Sequence, residues 1–254
     1  MGIGYQFDQG VATLTFERPD KKNAITGGMY EAIVRHLREA SADKAVRAVL
    51  FTGAGSAFTA GNDLKDFADP KFARPDSPVL SFMQALATFD KPVIAAVNGM
   101  AVGIGVTMLL HCDLVYVAEG ATFSMPFVNL GLVPEFGSTL LLPMAAGRVS
   151  AAEKLLLGKP FSAAEALAMG IVNAVLAPGD LINHAQTAAR SFNALPQGAV
   201  RDTKKLLRQA QATLVQEAIL RELSVFGPRL AGPEAREAIA AIREKRPPDF
   251  SRTG

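Results

Sequence analysis

The sequence predicts an α/β fold over residues 1–196, followed by a helical C-terminal subdomain over 197–254. Three observations carry this. Short apolar runs of buried-strand type, at Arg47–Gly53, Val93–Val97 and Leu114–Ala118, alternate with stretches of helical periodicity. Three glycine-rich loops each follow an apolar run and lead towards a helix. From about Pro196 onward the pattern is helical throughout. That part carries 11 Lys/Arg against 7 Asp/Glu, so it is net +4, while the first 196 residues are net −2.

Each element has a local reason. Val11–Phe16 (VATLTF) alternates as a strand does, and Tyr5–Gln9 pairs with it across Gly10. Arg18-Pro19-Asp20 breaks the pattern. Thr26 then caps a helix from about Gly28 to Ala42, with Met29, Ala32, Ile33, Leu37 and Ala40 on one face. Pro70–Pro78 carries three prolines and reads as irregular. Helices follow at Ser81–Phe89 and Gly103–Cys112. Glu135–Ala146 reads as one apolar helix. Ser162–Glu165 is a capping box opening a helix to Met169, and Ile171–Leu176 reads as a late strand. Leu214, Ala218, Leu220 and Leu223 form an apolar helix face that needs the core or another subunit to cover it.

Composition removes whole classes of function. Hydrophobic residues are 49% and charged residues 20%, which excludes a disordered chain. The net charge is +2, and there is no Trp and only three Tyr, so neither a basic stripe nor a stacking platform for nucleic acid is offered. Val93–Leu110 is 18 residues of mostly apolar sequence, long enough to suggest a membrane span. Pro92, Asn98 and three glycines make it a strand–turn–helix unit instead. No basic head followed by an apolar stretch opens the sequence, and the single cysteine, Cys112, excludes an intrachain disulfide. A cytoplasmic location is the expectation.

Among candidate chemistries, the dinucleotide fingerprint, P-loop and G-x-S-x-G are incomplete or absent. His36, His111 and His184 fall in different segments, so no metal site is expected. What remains are the three glycine-rich loops, Gly53–Asp63, Asn98–Gly105 and Asn129–Ser138. Two such loops aimed at one point make an oxyanion hole from backbone alone. The third adds Glu135 among Leu132, Val133, Pro134 and Phe136, surroundings that raise a carboxylate's proton affinity. Read by itself, Glu135 is better explained as an acid in the first turn of a helix, favoured there by the dipole.

Five separated stretches resemble the crotonase superfamily of enoyl-CoA hydratases and isomerases. They are RPDKKNAI (18–25), FTGAGSAFTAGNDL (51–64), KPVIAAVNGMAVGIGVTMLLHCDLVYVAE (91–119), FSMPFVNLGLVPEFGSTLLLP (123–143) and GKPFSAAEALAMGIVNAVL (158–176). The resemblance implies a crotonase-like spiral of ββα repeats, a helical C-terminal subdomain used in oligomerisation, and a homotrimer or dimer of trimers. It also implies an acyl-CoA thioester as substrate, with coenzyme A part of the substrate and no separate cofactor. By motif position, the thioester oxygen would lie between the backbone N–H groups of Asn62 and Ile104. Lys22, Ala24, Ala60 and Leu64 would line the groove for the rest of the CoA ester.

The acid/base positions narrow the implied reaction. Hydratases of this family carry two glutamates, and this sequence has Thr107 and Phe127 in those places. Glu135 matches instead the base of the Δ3,Δ2-enoyl-CoA isomerase branch. The expectation is therefore a shift of a 3-enoyl-CoA double bond to the 2-trans position by one glutamate. Hydration, thioester hydrolysis and decarboxylation are the same-fold alternatives. A non-catalytic acyl-CoA- or RNA-binding protein is the alternative of a different class.

Overall fold

The computed structural model describes residues 2–67, 74 and 76–253. Its main sheet is built from β1 (Ile3–Asp8), β2 (Val11–Phe16) and β3 (Ala48–Gly53), joined later in the chain by β5 (Val93–Val97), β7 (Leu114–Ala118) and β10 (Ala174–Leu176). The spatial order is β1-β2-β3-β5-β7-β10, with the first pair antiparallel and the others parallel. A second sheet takes β4 (Ala57–Thr59), β6 (Met100–Val102), β8 (Thr122–Ser124) and β9 (Phe161–Ser162), in that order. Strands β3, β5 and β7 each feed a short strand of the second sheet before the chain turns into helix. This repeating strand–strand–helix step is the spiral.

The central strands are buried on both faces, which is why they read as unbroken apolar runs. Helices α1 (Gly27–Ala42) and α3 (Pro78–Ala87) cover one face of the main sheet. Helix α8 (Leu181–Ser191) covers the other, setting Leu181, Ala185 and Ala189 against Val11, Leu50 and Ile94. Thr26 caps α1, its hydroxyl accepting from the Met29 N–H, and Ser162 with Glu165 forms the expected capping box of α7 (Ala163–Ala168).

Several boundaries differ from the sequence reading. The stretch 98–105 contains β6, and 53–63 contains β4. The helix after Gly103 is a single turn, α4 (Ile104–Thr107), continued by a 3₁₀ turn over Met108–His111. The apolar stretch Val93–Leu110 is thus two strands and a short helix. Among the described residues no helix is long and apolar enough to cross a membrane. Of the proline-rich segment, residues 70–73 and 75 lie outside the described residues. Its end, Ser77-Pro78, opens α3, with Ser77 capping and Pro78 at the first helical position, where a missing N–H costs nothing.

The last three helices are α9 (Gln197–Gln209), α10 (Ala212–Leu230) and α11 (Pro233–Glu244). Charge pairs dock α9 on the turn before β7. Lys204 Nζ donates to Asp113 (2.6 Å) and to the Lys91 carbonyl (2.5 Å), and Arg208 donates to the His111 carbonyl (2.6 Å). Helix α10 packs against α5 (Ser138–Ala146). Ala218 is buried and Leu223 packs on the core, whereas Leu214 and Leu220 stay about half exposed, at 49% and 58%.

One buried amide ties the start of the chain to the second sheet. Asn23 takes a left-handed conformation (φ +58°) and is fully buried. Its Nδ2 donates to the carbonyls of Ala54 (2.9 Å) and Ala57 (2.7 Å), and its Oδ1 accepts from the Arg18 N–H (2.8 Å). Asn23→Ala removes side-chain partners from the Arg18 N–H and the Ala54 carbonyl, leaves the Ala57 carbonyl only a 3.4 Å bond from Asn98 Nδ2, and puts alanine at a positive φ. Urea denaturation is expected to show a loss of about 3 kcal/mol; a loss below about 1 kcal/mol would show that water replaces the amide without cost.

Candidate active site

The two glycine loops meet because β4 and β6 are paired neighbours. Their approach requires glycine. A Cβ on Gly61 would lie 2.7 Å from the Val102 carbonyl oxygen, and one on Gly105 would lie 2.5 Å from the Thr59 methyl group. Residue 62 therefore sits beside the start of α4. Asn62 also forms a parallel bridge with Ile25: the Ile25 N–H donates to Gly61 O (2.8 Å) and the Asp63 N–H to Ile25 O (2.9 Å). That pattern leaves the Asn62 N–H unused. The Ile104 N–H is unused as well, because it opens α4 and the later amides of Val106 and Thr107 take the Gly103 carbonyl. Neither amide donates to a protein acceptor among the described residues.

The 22–25 segment runs alongside the first loop. The Ala60 N–H donates to Lys22 O (2.9 Å), Thr59 Oγ1 donates to Asn23 O (2.7 Å), and Arg18 reaches both the Ala24 carbonyl (2.7 Å) and Asp63 (2.9 Å). Lys22, Ala24 and Ala60 are thus brought together at the level of the backbone. Lys22 is exposed and Ala24 and Ala60 are half-buried. Leu64 begins the short helix α2 (Leu64–Phe67), and its side chain lies outside the described atoms.

Glu135 is buried, at 6% exposure, and is not on a helix. Helix α5 begins three residues later, at Ser138. Between them Phe136 (φ +63°) and Gly137 (φ +71°) are both left-handed, so the chain turns sharply after the carboxylate. For phenylalanine that conformation costs about 1–2 kcal/mol. It is held in part by His111, whose Nε2 lies 2.8 Å from the Phe136 carbonyl, while its ring stacks on the Phe136 ring at 3.9 Å. The carbonyl can only accept, so Nε2 carries the proton. Burial pushes the His111 pKa down to about 4, keeping the imidazole neutral.

The two carboxylate oxygens of Glu135 differ. Oε1 accepts a 2.6 Å hydrogen bond from Thr107 Oγ1, whereas Oε2 is buried without a partner. Burial pushes its pKa up to about 8; the Thr107 hydrogen bond opposes this, and the nearby Glu222 charge adds to it. Because Thr107 closes the single turn that Ile104 opens, the Glu135 carboxyl is anchored to a residue three positions, about 4.5 Å along the axis, from Ile104. On the other side Tyr30, fully buried in α1, donates from its hydroxyl to Asn62 Oδ1 at 2.5 Å. Burial, and then the charge of Glu135, hold the Tyr30 hydroxyl well above its ordinary pKa, so it stays a donor.

A cavity of about 20 Å³ lies beside Glu135, walled by Val79, Leu80 and Met83 of α3 and by Ile219, Leu223 and Phe226 of α10. That is room for about one water. A much larger hollow, about 1330 Å³, opens elsewhere, between α9 and the end of α3. Its lining mixes charged and polar side chains with apolar ones such as Phe89, Leu110, Leu141 and Val215, and none of Asn62, Ile104 and Glu135 borders it. Among the described residues no cluster of three or more His, Cys, Asp or Glu could hold a metal ion.

Sequence reasoning singled out Glu135, Asn62 and Ile104 but missed three residues that arrange them. Thr107 registered only as a missing carboxylate, and Tyr30 and Glu222 not at all. A threonine or tyrosine on a buried face carries no local mark of the partner it will find.

Residues 6–253 match the family model described as enoyl-CoA hydratase/isomerase. The chain is 36% identical over 252 residues to enoyl-CoA delta isomerase 2 of Rattus norvegicus, covering 97% of this chain but 64% of that protein's length. It is also 36% identical to 1,2-epoxyphenylacetyl-CoA isomerase of Escherichia coli, with 96% of each chain covered. Among solved structures, an enoyl-CoA hydratase/isomerase from Pseudoalteromonas atlantica superposes with a TM-score of 0.94 at 38% identity, covering 98% of this chain and 100% of the other. OdaA of Pseudomonas aeruginosa superposes with a TM-score of 0.92 at 49% identity, covering 95% and 98%. With the spiral of paired strands and the two-loop site already in place, the chain belongs to the enoyl-CoA hydratase/isomerase family.

Proposed function

We propose that the protein isomerises a 3-enoyl-CoA thioester to the 2-trans-enoyl-CoA with Glu135 as its one acid–base group. The observation that carries this reading is the state of that carboxylate: desolvated, one oxygen fixed by Thr107, the other free. Oε2 removes a proton from C2. The electron pair moves into the thioester, and the dienolate oxygen is met by the N–H groups of Asn62 and Ile104. The proton then returns from Oε2 to C4, the C2–C3 double bond forms, and Glu135 is a carboxylate again. No water is added and nothing is oxidised, so a second carboxylate is not needed.

Thr107 and Phe127 stand where two-glutamate hydration would place its acids. Glu222 is the other buried carboxylate near the base, and both its oxygens are engaged by protein donors. On this reading Lys22, Ala24, Ala60 and Leu64 receive the rest of the CoA ester, and coenzyme A enters only as part of the substrate. The exposed leucines of α9 and α10, Leu206, Leu207, Leu214 and Leu220, offer a face for other copies of the chain in a trimer or dimer of trimers. The name of the E. coli relative makes a ring-epoxide CoA ester the other isomerisation substrate to include in a panel.

Two outcomes test the assignment. With 3-enoyl-CoA, wild type yields a product of unchanged mass, and Glu135→Gln is expected to lose at least about 10³-fold in kcat while binding the product ester as wild type does. Mass analysis and a binding titration read both, and near-wild-type turnover by Glu135→Gln would contradict the reading. The second outcome concerns pH. The base must be ionised, so kcat/KM is expected to rise with pH through an inflection near 8. The sign for stability is opposite. Between the ordinary glutamate pKa and about 8 the folded chain binds a proton that the unfolded chain has released, so Glu135 progressively destabilises the fold as pH rises across that window. Glu135→Gln should therefore melt at a higher temperature than wild type at pH 8, a difference that shrinks towards pH 4.

A further inference from the structure

Glu222 projects from the middle of α10 and is buried, at 5% exposure, 87 residues beyond the base. It grips the first turn of α5. Oε2 accepts from the Gly137 N–H (2.6 Å), and Oε1 accepts from both the Thr139 N–H (2.9 Å) and the Thr139 hydroxyl (2.5 Å). Gly137 is the N-cap of α5 and has no side chain to satisfy the free amides there, so Glu222 supplies the cap from another helix.

This matters because of what lies two residues upstream. The N-terminus of a helix favours a negative charge. Left uncapped, the first turn of α5 would draw the Glu135 carboxylate, make it a poorer base and pull it from its place. Glu222 occupies that position with both oxygens. The turn itself, Phe136 and Gly137 in succession at positive φ, is then held from both sides. His111 holds the Phe136 carbonyl, and Glu222 holds the Gly137 amide.

We infer that Glu222 is a positioning residue for Glu135: it fixes the turn that aims the base, and it spends the helix N-terminus on itself so that the base stays basic. The inference rests on the reading of Glu135 as the base. Other groups facing Glu135 are the hydroxyl of Tyr30 from α1, that of Thr107 from α4 and, through Phe136, the neutral His111; α3 contributes only apolar side chains. Glu222 itself faces Gly137 and Thr139, with Arg221 beside it on α10 as the nearby cation. Removing its charge therefore removes a carboxylate that raises the proton affinity of Glu135.

The test is the pH profile of Glu222→Gln measured with 3-enoyl-CoA on the full chain. The acid limb of kcat/KM is expected to move down by about one pH unit, with kcat reduced about tenfold and KM within about twofold of wild type. A cap that only stabilised the fold would lower the melting temperature and leave the acid limb in place, and that result overturns the inference. Glu222→Asp keeps the charge but shortens the reach. It should lose about tenfold in kcat with the acid limb near that of wild type, and it carries the test if Glu222→Gln does not fold. Unchanged kcat in Glu222→Asp also overturns the inference. Glu135→Gln run in parallel separates the two readings: if it stays active the base assignment has failed, and if it is inactive while the Glu222 variants behave as wild type, only the present inference has failed.

Discussion

A carboxylate taken out of water with one oxygen satisfied and the other left bare is the constraint on which the rest of this structure depends. An unpaired buried charge is costly, and a protein normally answers it by pairing or by protonation. Here the answer is partial. Thr107 satisfies Oε1, while Oε2 is buried without a partner beside a cavity about one water in size that Glu135 helps to line, and the pKa rises to about 8. Proton affinity is stored at one atom, where chemistry can use it.

Much of the surrounding architecture serves to hold that atom still. Asn23 ties residues 18–25 to the loop before β4, Gly61 and Gly105 let the two amide-bearing loops close on each other, and Tyr30 pins the Asn62 side chain. On the far side the C-terminal helices take part. Helix α9 is clamped to the turn carrying His111 by Lys204 and Arg208, His111 grips Phe136, and α10 delivers Glu222. Elements separated by more than 100 residues thus converge on the strained turn after Glu135. Such strain persists only where its surroundings over-determine it.

The frame was legible in the sequence where burial leaves an unbroken mark. β3, β5 and β7 are buried on both faces and read as apolar runs, and Thr26, Ser162 and Glu165 announce their caps directly. The second sheet was not legible. Its strands are two or three residues long, too short for alternation to register, and β4 and β6 lie inside stretches whose glycines read as loops. The site was legible in the same uneven way. Glycine flagged the two amide loops, and the resemblance picked out Glu135. The sequence reading nevertheless ran a helix through Glu135, because nothing about phenylalanine predicts that Phe136 turns left-handed. Glu222 lies between Arg221 and Leu223 in an ordinary amphipathic pattern, and only the packing of α10 on α5 gives it a role.

The central claim is that one buried carboxyl both removes and returns the proton. A single-turnover experiment with 3-enoyl-CoA deuterated at C2, run in ordinary water and read by NMR of the product, tests it most directly. The account predicts that part of the deuterium appears at C4, carried there on Glu135 Oε2. Product bearing only solvent hydrogen at C4 would contradict it.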